Sequence, residues 1–428
     1  MRTTEIGATL VSASRAKASG RRDEAERLWR SVLDDEPANP VALNALGTLA
    51  LEQRGFAEAA DLFARAAAAD PAAPPIWLNL ARAHRFAGND EAERQSLLRV
   101  LGIDQLNLTA LIRIAELHER RGEEALANQR WAAVVAIGGQ VENPAPELAE
   151  RLAHARAYVA DKGRRFGEEM DAGLAGARAA IDPADRRRFD ACVDHLLGRR
   201  SIYLNQCAGV HFPFLPADEY FDIRHFPWLA QIEAKTSVIR AELEAFLRNG
   251  APGFAPYVAF DSGTPESKWT KLDHSLDWSA CHLWRFGKRD DAICRHFPET
   301  AAAIAALPLA DMPNRAPTAF FSLLRPGAHI PPHTGVSNTR AIIHLPLIVP
   351  PGCGFRVGGE TREWVEGKAF AFDDTIEHEA WNNSDQLRAV LIFDTWNPHL
   401  TEIERGLLQS YFTVADANNL NPHNDIAD

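Results

Sequence analysis

A chain of 428 residues, 46% hydrophobic and 24% charged, is long enough for two or three domains that each bury a core. Its formal net charge of -12 excludes a general binder of nucleic acid or of an anionic membrane, since either needs a cationic face; only a local basic groove stays open. No apolar run approaches the roughly 18 residues of a membrane span, and the amino terminus passes straight into helical pattern, so neither a span nor a secretory signal is expected. The five cysteines, an odd number without CxxC spacing, read as free thiols in a reducing, cytoplasmic compartment.

Residues 1–138 are rich in Ala, Leu, Arg and Glu, and a period near 34 shows through. Ala25 recurs as Ala59 and again as Ala92; Pro37 recurs as Pro71, with Asp104 in the next equivalent place. Trp29 and Phe63 follow their alanines at the same offset, and turns fall at Gly55, Gly88 and Gly122. An irregular helical bundle would not repeat three offsets together. Units such as Leu43 to Pro71 and Trp77 to Asp104 resemble tetratricopeptide repeats, which implies a helical solenoid with a concave groove for a peptide or protein.

From 139 to 200 the helical pattern continues without the period, which suggests a cap and connector broken at Asn143-Pro144 and Asp182-Pro183. The clusters Arg164-Arg165 and Arg186 to Arg188 read as solvated faces. A second domain is expected over 201–412. It opens with the aromatic, proline-rich stretch His211 to Trp228, followed by an amphipathic helix from about Trp228 to Arg248, a strand over Trp278 to Phe286 and a helix over Pro298 to Leu307. Apolar runs at Ala341 to Leu347, Lys368 to Phe372 and Ala389 to Phe393, separated by Pro331-Pro332, Pro350-Pro351-Gly352 and Gly358-Gly359, predict short antiparallel strands of a sandwich or barrel. Residues 413–428 are expected to be a frayed tail.

Two histidines at strand edges in this β segment, His333 and His378, are the best metal candidates. Two neutral imidazoles leave several coordination positions open, as oxygen chemistry requires. The generic non-haem iron pattern has a carboxylate two residues after the first histidine, yet Gly335 stands there. Arg388 interrupts an apolar run, and an inward charge there needs a partner. Asp373 and Asp374 could orient a ligand or cap a turn.

The blocks Ser322 to Gly335, His344 to Pro350 and Gly359 to Trp381, together with Arg388, resemble the aspartyl/asparaginyl β-hydroxylases, over roughly residues 205–400. The resemblance implies a double-stranded β-helix (jelly-roll, cupin-like) domain, so that the chain would be a multidomain α plus β protein. It also implies Fe(II), the cosubstrate 2-oxoglutarate and O2. In that family a glycine in place of the carboxylate is the normal pattern. Carried over, His333 and His378 would hold iron, Ser322 and Arg388 the distal carboxylate of 2-oxoglutarate, and His344 the carboxylate beside the keto group. His282, His296, His329 and His399 have no counterpart and read as structural.

The animal members carry arginines two and four residues before the histidine equivalent to His344. This chain keeps Arg340 as a substrate contact but has Ile342 at the other place. Their paired cysteines are also absent, Ala301 standing seven residues after Cys294. The expected activity is hydroxylation of an unactivated carbon, first the β-carbon of Asp or Asn in a protein or peptide gripped by the repeat groove. Three other readings stay open: hydroxylation of a lipid acyl chain or small metabolite, a catalytically silent repeat adaptor, and a cupin-like binding protein, for which the HxH box is missing around His333.

Overall fold

The computed structural model describes residues 3–418. The chain divides into two compact units, Met1–Ala179 and Ala180–Asp428.

The first unit is helical. Its first eight helices form four pairs: α1 (Thr3–Ala18) with α2 (Arg22–Asp35), α3 (Pro40–Glu52) with α4 (Phe56–Ala69), α5 (Pro74–Phe86) with α6 (Asp90–Ile103), and α7 (Leu108–Arg120) with α8 (Glu124–Gly138). The long α9 (Pro146–Ala179) follows. The starts are specified locally: Asn39, Asn89 and Asn107 each accept a hydrogen bond from the backbone N–H three residues on, satisfying a donor that the first turn leaves open. The large side chain of each second helix recurs every 34 residues as Trp29, Phe63, Leu97 and Trp131, all at 2% exposure or less. This spacing corrects the sequence register in the third pair. The buried equivalent of Ala25 and Ala59 is Glu93, not Ala92, and its carboxylate is accepted in the seam because Arg120 donates to it at 2.7 Å.

The boundary between the units falls inside the 139–200 stretch. Helix α10 (Pro183–Leu196) belongs to the second unit because Arg187 reaches Glu360, Asp218 and the carbonyl of Tyr220 at 3.1, 3.2 and 2.6 Å. The helix expected from Trp228 to Arg248 is two helices, α11 (Leu229–Glu233) and α12 (Thr236–Arg248). They part where the Thr236 hydroxyl donates back to the carbonyl of Glu233.

Eleven strands follow, interrupted by α13 (Asp291–Cys294) and α14 (Pro298–Ala305). They are β1 (Ala255–Pro256), β2 (Trp278–Arg285), β3 (Lys288–Arg289), β4 (Ala319–Leu324), β5 (His329–His333), β6 (Arg340–Ile348), β7 (Cys353–Val357), β8 (Glu360–Arg362), β9 (Phe370–Phe372), β10 (His378–Asn382) and β11 (Arg388–Trp396). One sheet runs β1-β2-β4-β11-β6-β9 with β3 also on β2, the other β5-β10-β7-β8, and every pairing is antiparallel. The double-stranded β-helix expected from sequence is thus two antiparallel sheets behind helical repeats. Helix α15 (Glu402–Ala417), opened by a Thr401/Glu404 capping box, closes the described chain. The tail expected from residue 413 is therefore helical through Ala417, with Ala415 buried and Asp416 paired to Arg315 at 2.7 Å. The last ten residues of that tail lie outside the described residues.

Strand periodicity decides what lies where. The odd-numbered side chains of β4, β6 and β11 (Phe321, Leu323, Ile343, Leu345, Leu391, Phe393) pack with Ile239, Leu243, Phe246 and Phe297 from the helices. The even-numbered ones turn the other way, toward a core shared by both sheets, where Leu324, Ile330, Phe355, Phe372 and Ala380 meet. Ser322, Arg340, Ile342, His344, Arg388 and Asp394 are all even-numbered. A single pleat therefore delivers them to one pocket, together with His333 and His378 from the smaller sheet.

Candidate active site

His333 ends β5 and His378 begins β10; the two are directly paired across the strands, with ring centroids 4.0 Å apart. They are neighbours within one sheet rather than residues of two facing strands. Each ring is oriented in the same way: Nδ1 lies 2.8 Å from the Pro331 carbonyl in His333 and 3.0 Å from the Ile376 carbonyl in His378. A carbonyl only accepts, so each Nδ1 carries the hydrogen and each Nε2 keeps its lone pair. Burial holds His333 near a pKa of about 4 and His378 well below the ordinary value, the latter reinforced by the neighbouring His333. Both are neutral bases at neutral pH. Among the described residues no group of three or more His, Cys, Asp or Glu is arranged to hold a metal. Gly335 explains why nothing larger stands two residues after His333: a Cβ there would collide with the Asp374 carboxylate. Asp373 caps the adjoining turn, accepting from the Thr375 N–H and hydroxyl at 3.0 and 2.6 Å, and its burial pushes its pKa up to about 6.

On the larger sheet, Arg388 is 2% exposed, and among the described residues no carboxylate lies within ion-pairing distance of it. Its guanidinium lies 3.5 Å from the Ser322 hydroxyl and 5.3 Å from the ring centre of Trp364, and burial lowers its pKa from 12.5 to about 10. Trp278 donates to the same hydroxyl at 3.2 Å. His344 stacks on Trp364, 5.6 Å between centroids and 9° between planes, and its buried Nδ1 has no hydrogen-bond partner. A buried cation without an anion beside a buried imidazole nitrogen without a partner is a costly arrangement that a bound carboxylate would relieve. Ser322, His344 and Arg388 thus line one pocket.

Residues 233–398 match the family model described as Aspartyl/Asparaginyl beta-hydroxylase, and residues 10–74 and 44–107 match that of the tetratricopeptide repeat. The chain thus carries a domain that matches the aspartyl/asparaginyl β-hydroxylase model, preceded in sequence by repeats that match the tetratricopeptide model. The human aspartyl/asparaginyl beta-hydroxylase is 38% identical over 133 residues, 31% of this chain and 17% of that protein. The ornithine lipid ester-linked acyl 2-hydroxylase of Rhizobium tropici is 36% identical over 181 residues, 42% of this chain and 60% of that protein. The chain thus spans less than two thirds of either relative. Of solved structures, a MamA protein aligns with a TM-score of 0.33 at 16% identity, over 42% of this chain and 98% of that one.

Within this domain Arg340 also faces the pocket, but it is not open to solvent: its guanidinium donates to Asp394 at 2.7 Å, and Asp394 in turn accepts from the Thr318 N–H at 3.1 Å. Ile342 lies between Arg340 and His344 on the same face and packs into the core shared by the sheets. Asp394 and Trp364 are site residues that sequence reasoning passed over. The even-numbered acid in the apolar run of β11 was the available signal for the first; nothing local marked the second. The remaining histidines have other partners: His282 stacks on Phe320, His296 packs tilted against Phe246, His329 meets Glu379 at 2.9 Å, and His399 packs against His225.

Proposed function

We propose that the hydroxylase domain is an Fe(II)- and 2-oxoglutarate-dependent dioxygenase that hydroxylates an unactivated carbon of a polypeptide, with the β-carbon of Asp or Asn as the first target. The observation that carries this reading is the paired, tautomer-fixed imidazoles His333 and His378 in one pocket with the carboxylate-free Arg388. These residues fit the missing group: the two Nε2 lone pairs suit a divalent ion, and Arg388, Ser322 and His344 offer a fork, a hydroxyl and a ring nitrogen to a dicarboxylate.

Iron with 2-oxoglutarate supplies the oxidising power when bound; this chain's residues bind, orient and exclude water. Arg388 anchors the cosubstrate's far end, and its depth in the sheet keeps that ion pair dry and therefore strong. Phe355, Phe372, Phe320 and Trp278 line the pocket and leave bulk water little room around the reacting carbon. The carbonyls of Pro331 and Ile376 hold the Nδ1 protons of His333 and His378, so neither imidazole can turn its lone pair away. The repeats would hold the substrate chain beyond the reacting residue, in a reducing, cytoplasmic setting that agrees with free cysteines at all five positions. Among the described residues no helix is long and apolar enough to cross a membrane. The ornithine lipid relative supports acyl-chain hydroxylation as a second reading.

The test is anaerobic titration of the whole chain with Fe(II) and 2-oxoglutarate, followed by the visible charge-transfer band of the chelate. A band that His333→Ala abolishes supports the proposal. A well-folded protein without the band sinks it and leaves the repeats as the functional part.

A further inference from the structure

Two arginines, Arg340 and Arg388, and two aspartates, Asp374 and Asp394, line the pocket. Arg340 is already neutralised by Asp394 at 2.7 Å, and Arg388 faces Ser322 on the side proposed above for the cosubstrate. At the position between Arg340 and His344 on the same strand face, Ile342 presents hydrocarbon to the pocket. An anion brought here would be desolvated among Phe320, Ile392 and Phe393, close to Asp394, with no uncommitted cation to receive it.

We infer that this site takes a polypeptide whose target side chain carries no charge, and that it favours asparagine over aspartate. The inference rests on the dioxygenase reading above and narrows it to one substrate class. Asp394 enforces the choice by holding Arg340; Ile342 enforces it by presenting hydrocarbon beside that pair. Asp394 is a specificity-determining residue and not one that touches the reacting carbon.

The experiment uses the full chain and a set of peptides identical except for Asp, Asn or Leu at the target position. Binding is measured by fluorescence anisotropy under nitrogen with Fe(II) and 2-oxoglutarate present, and kcat/KM by peptide mass in air. The Asn peptide is expected to bind and turn over on the order of tenfold or more better than its Asp isostere. Asp394→Asn keeps an oxygen to accept from the Thr318 N–H but turns an amide toward Arg340; it should free that cation and narrow the gap by at least about threefold. Ile342→Arg, on a half-buried side chain, should move the preference the same way by an independent route.

An Asp peptide preferred by the wild-type chain, or an unchanged ratio in both variants when they fold, overturns the inference while leaving the dioxygenase reading intact if the charge-transfer band is present. Loss of the band itself would strike at that reading instead. Hydroxylation of acyl chains in ornithine-lipid vesicles, with no peptide turned over, also overturns the inference.

Discussion

Replacing Arg388 by methionine should make the protein without cosubstrate more stable and at the same time deaf to 2-oxoglutarate. Arg388 is 2% exposed and has no carboxylate partner among the described residues. The fall of its pKa from 12.5 to about 10 through burial bounds the cost of holding the charge there at about 3 kcal/mol. Against this stand the weak hydrogen bond to Ser322 at 3.5 Å and the face of Trp364 at 5.3 Å, together worth about 1 kcal/mol. Methionine fills similar volume with a flexible apolar chain, so the net expectation is a gain of about 2 kcal/mol. At a cosubstrate concentration one hundred times Kd, 2-oxoglutarate should add about 2.7 kcal/mol to the wild type and close to nothing to the variant. Urea unfolding of both proteins under nitrogen with Fe(II), with and without 2-oxoglutarate, reads both numbers. A variant less stable than wild type without cosubstrate, or equally stabilised by it, would refute the reasoning, because either result means that the guanidinium is satisfied inside the protein.

Gly335→Ala should destabilise by about 1–3 kcal/mol, since the new Cβ collides with the Asp374 carboxylate; differential scanning calorimetry checks this, and a neutral result would mean the carboxylate swings aside freely. His282 is pushed to a pKa of about 4, mainly by burial and then by Arg285, so it is neutral in the fold. Its contribution is present above the unfolded value of 6.5 and lost as pH falls toward 4; wild type should lose up to about 2 kcal/mol over that window relative to His282→Gln, measured by urea midpoints at pH 7 and pH 4.5. Thr401→Ala removes one side of the capping box and should cost about 1 kcal/mol, with hydrogen exchange accelerating first in the opening turn of α15.

The parts legible in sequence were those whose cause is local. A 34-residue period needs only that like residues fill like seams, so the helical repeats could be read from offsets that recur together, such as Ala25 with Ala59 and Trp29 with Phe63. The third repeat was misread by one position because a buried acid, Glu93, looks like surface until Arg120 is seen across the seam. Helix α10 was left to a connector because what ties it to the second unit is Arg187 with Glu360, 173 residues away. The same limit hid Asp394: its partner Arg340 is 54 residues off, joined only when β11 pairs with β6.

That pairing is also why the site stands or falls as a whole. Trp396 lies opposite Arg340, Asp394 opposite Ile342 and Ile392 opposite His344, while Arg388 lies opposite Leu324 on the other neighbour, β4. A slip of one residue in β11 would turn Arg388 and Asp394 toward the helices and bring Ala389 and Leu391 into the pocket. The apolar odd-numbered residues prevent it, because Leu391 and Phe393 are almost wholly buried against the helices and could not be exchanged for two charges. The hydrophobic face therefore sets the register, and the register sets the distance between the cation that would hold the cosubstrate and the acid that limits the substrate. Selection for the core and selection for the chemistry act on alternate residues of the same strand.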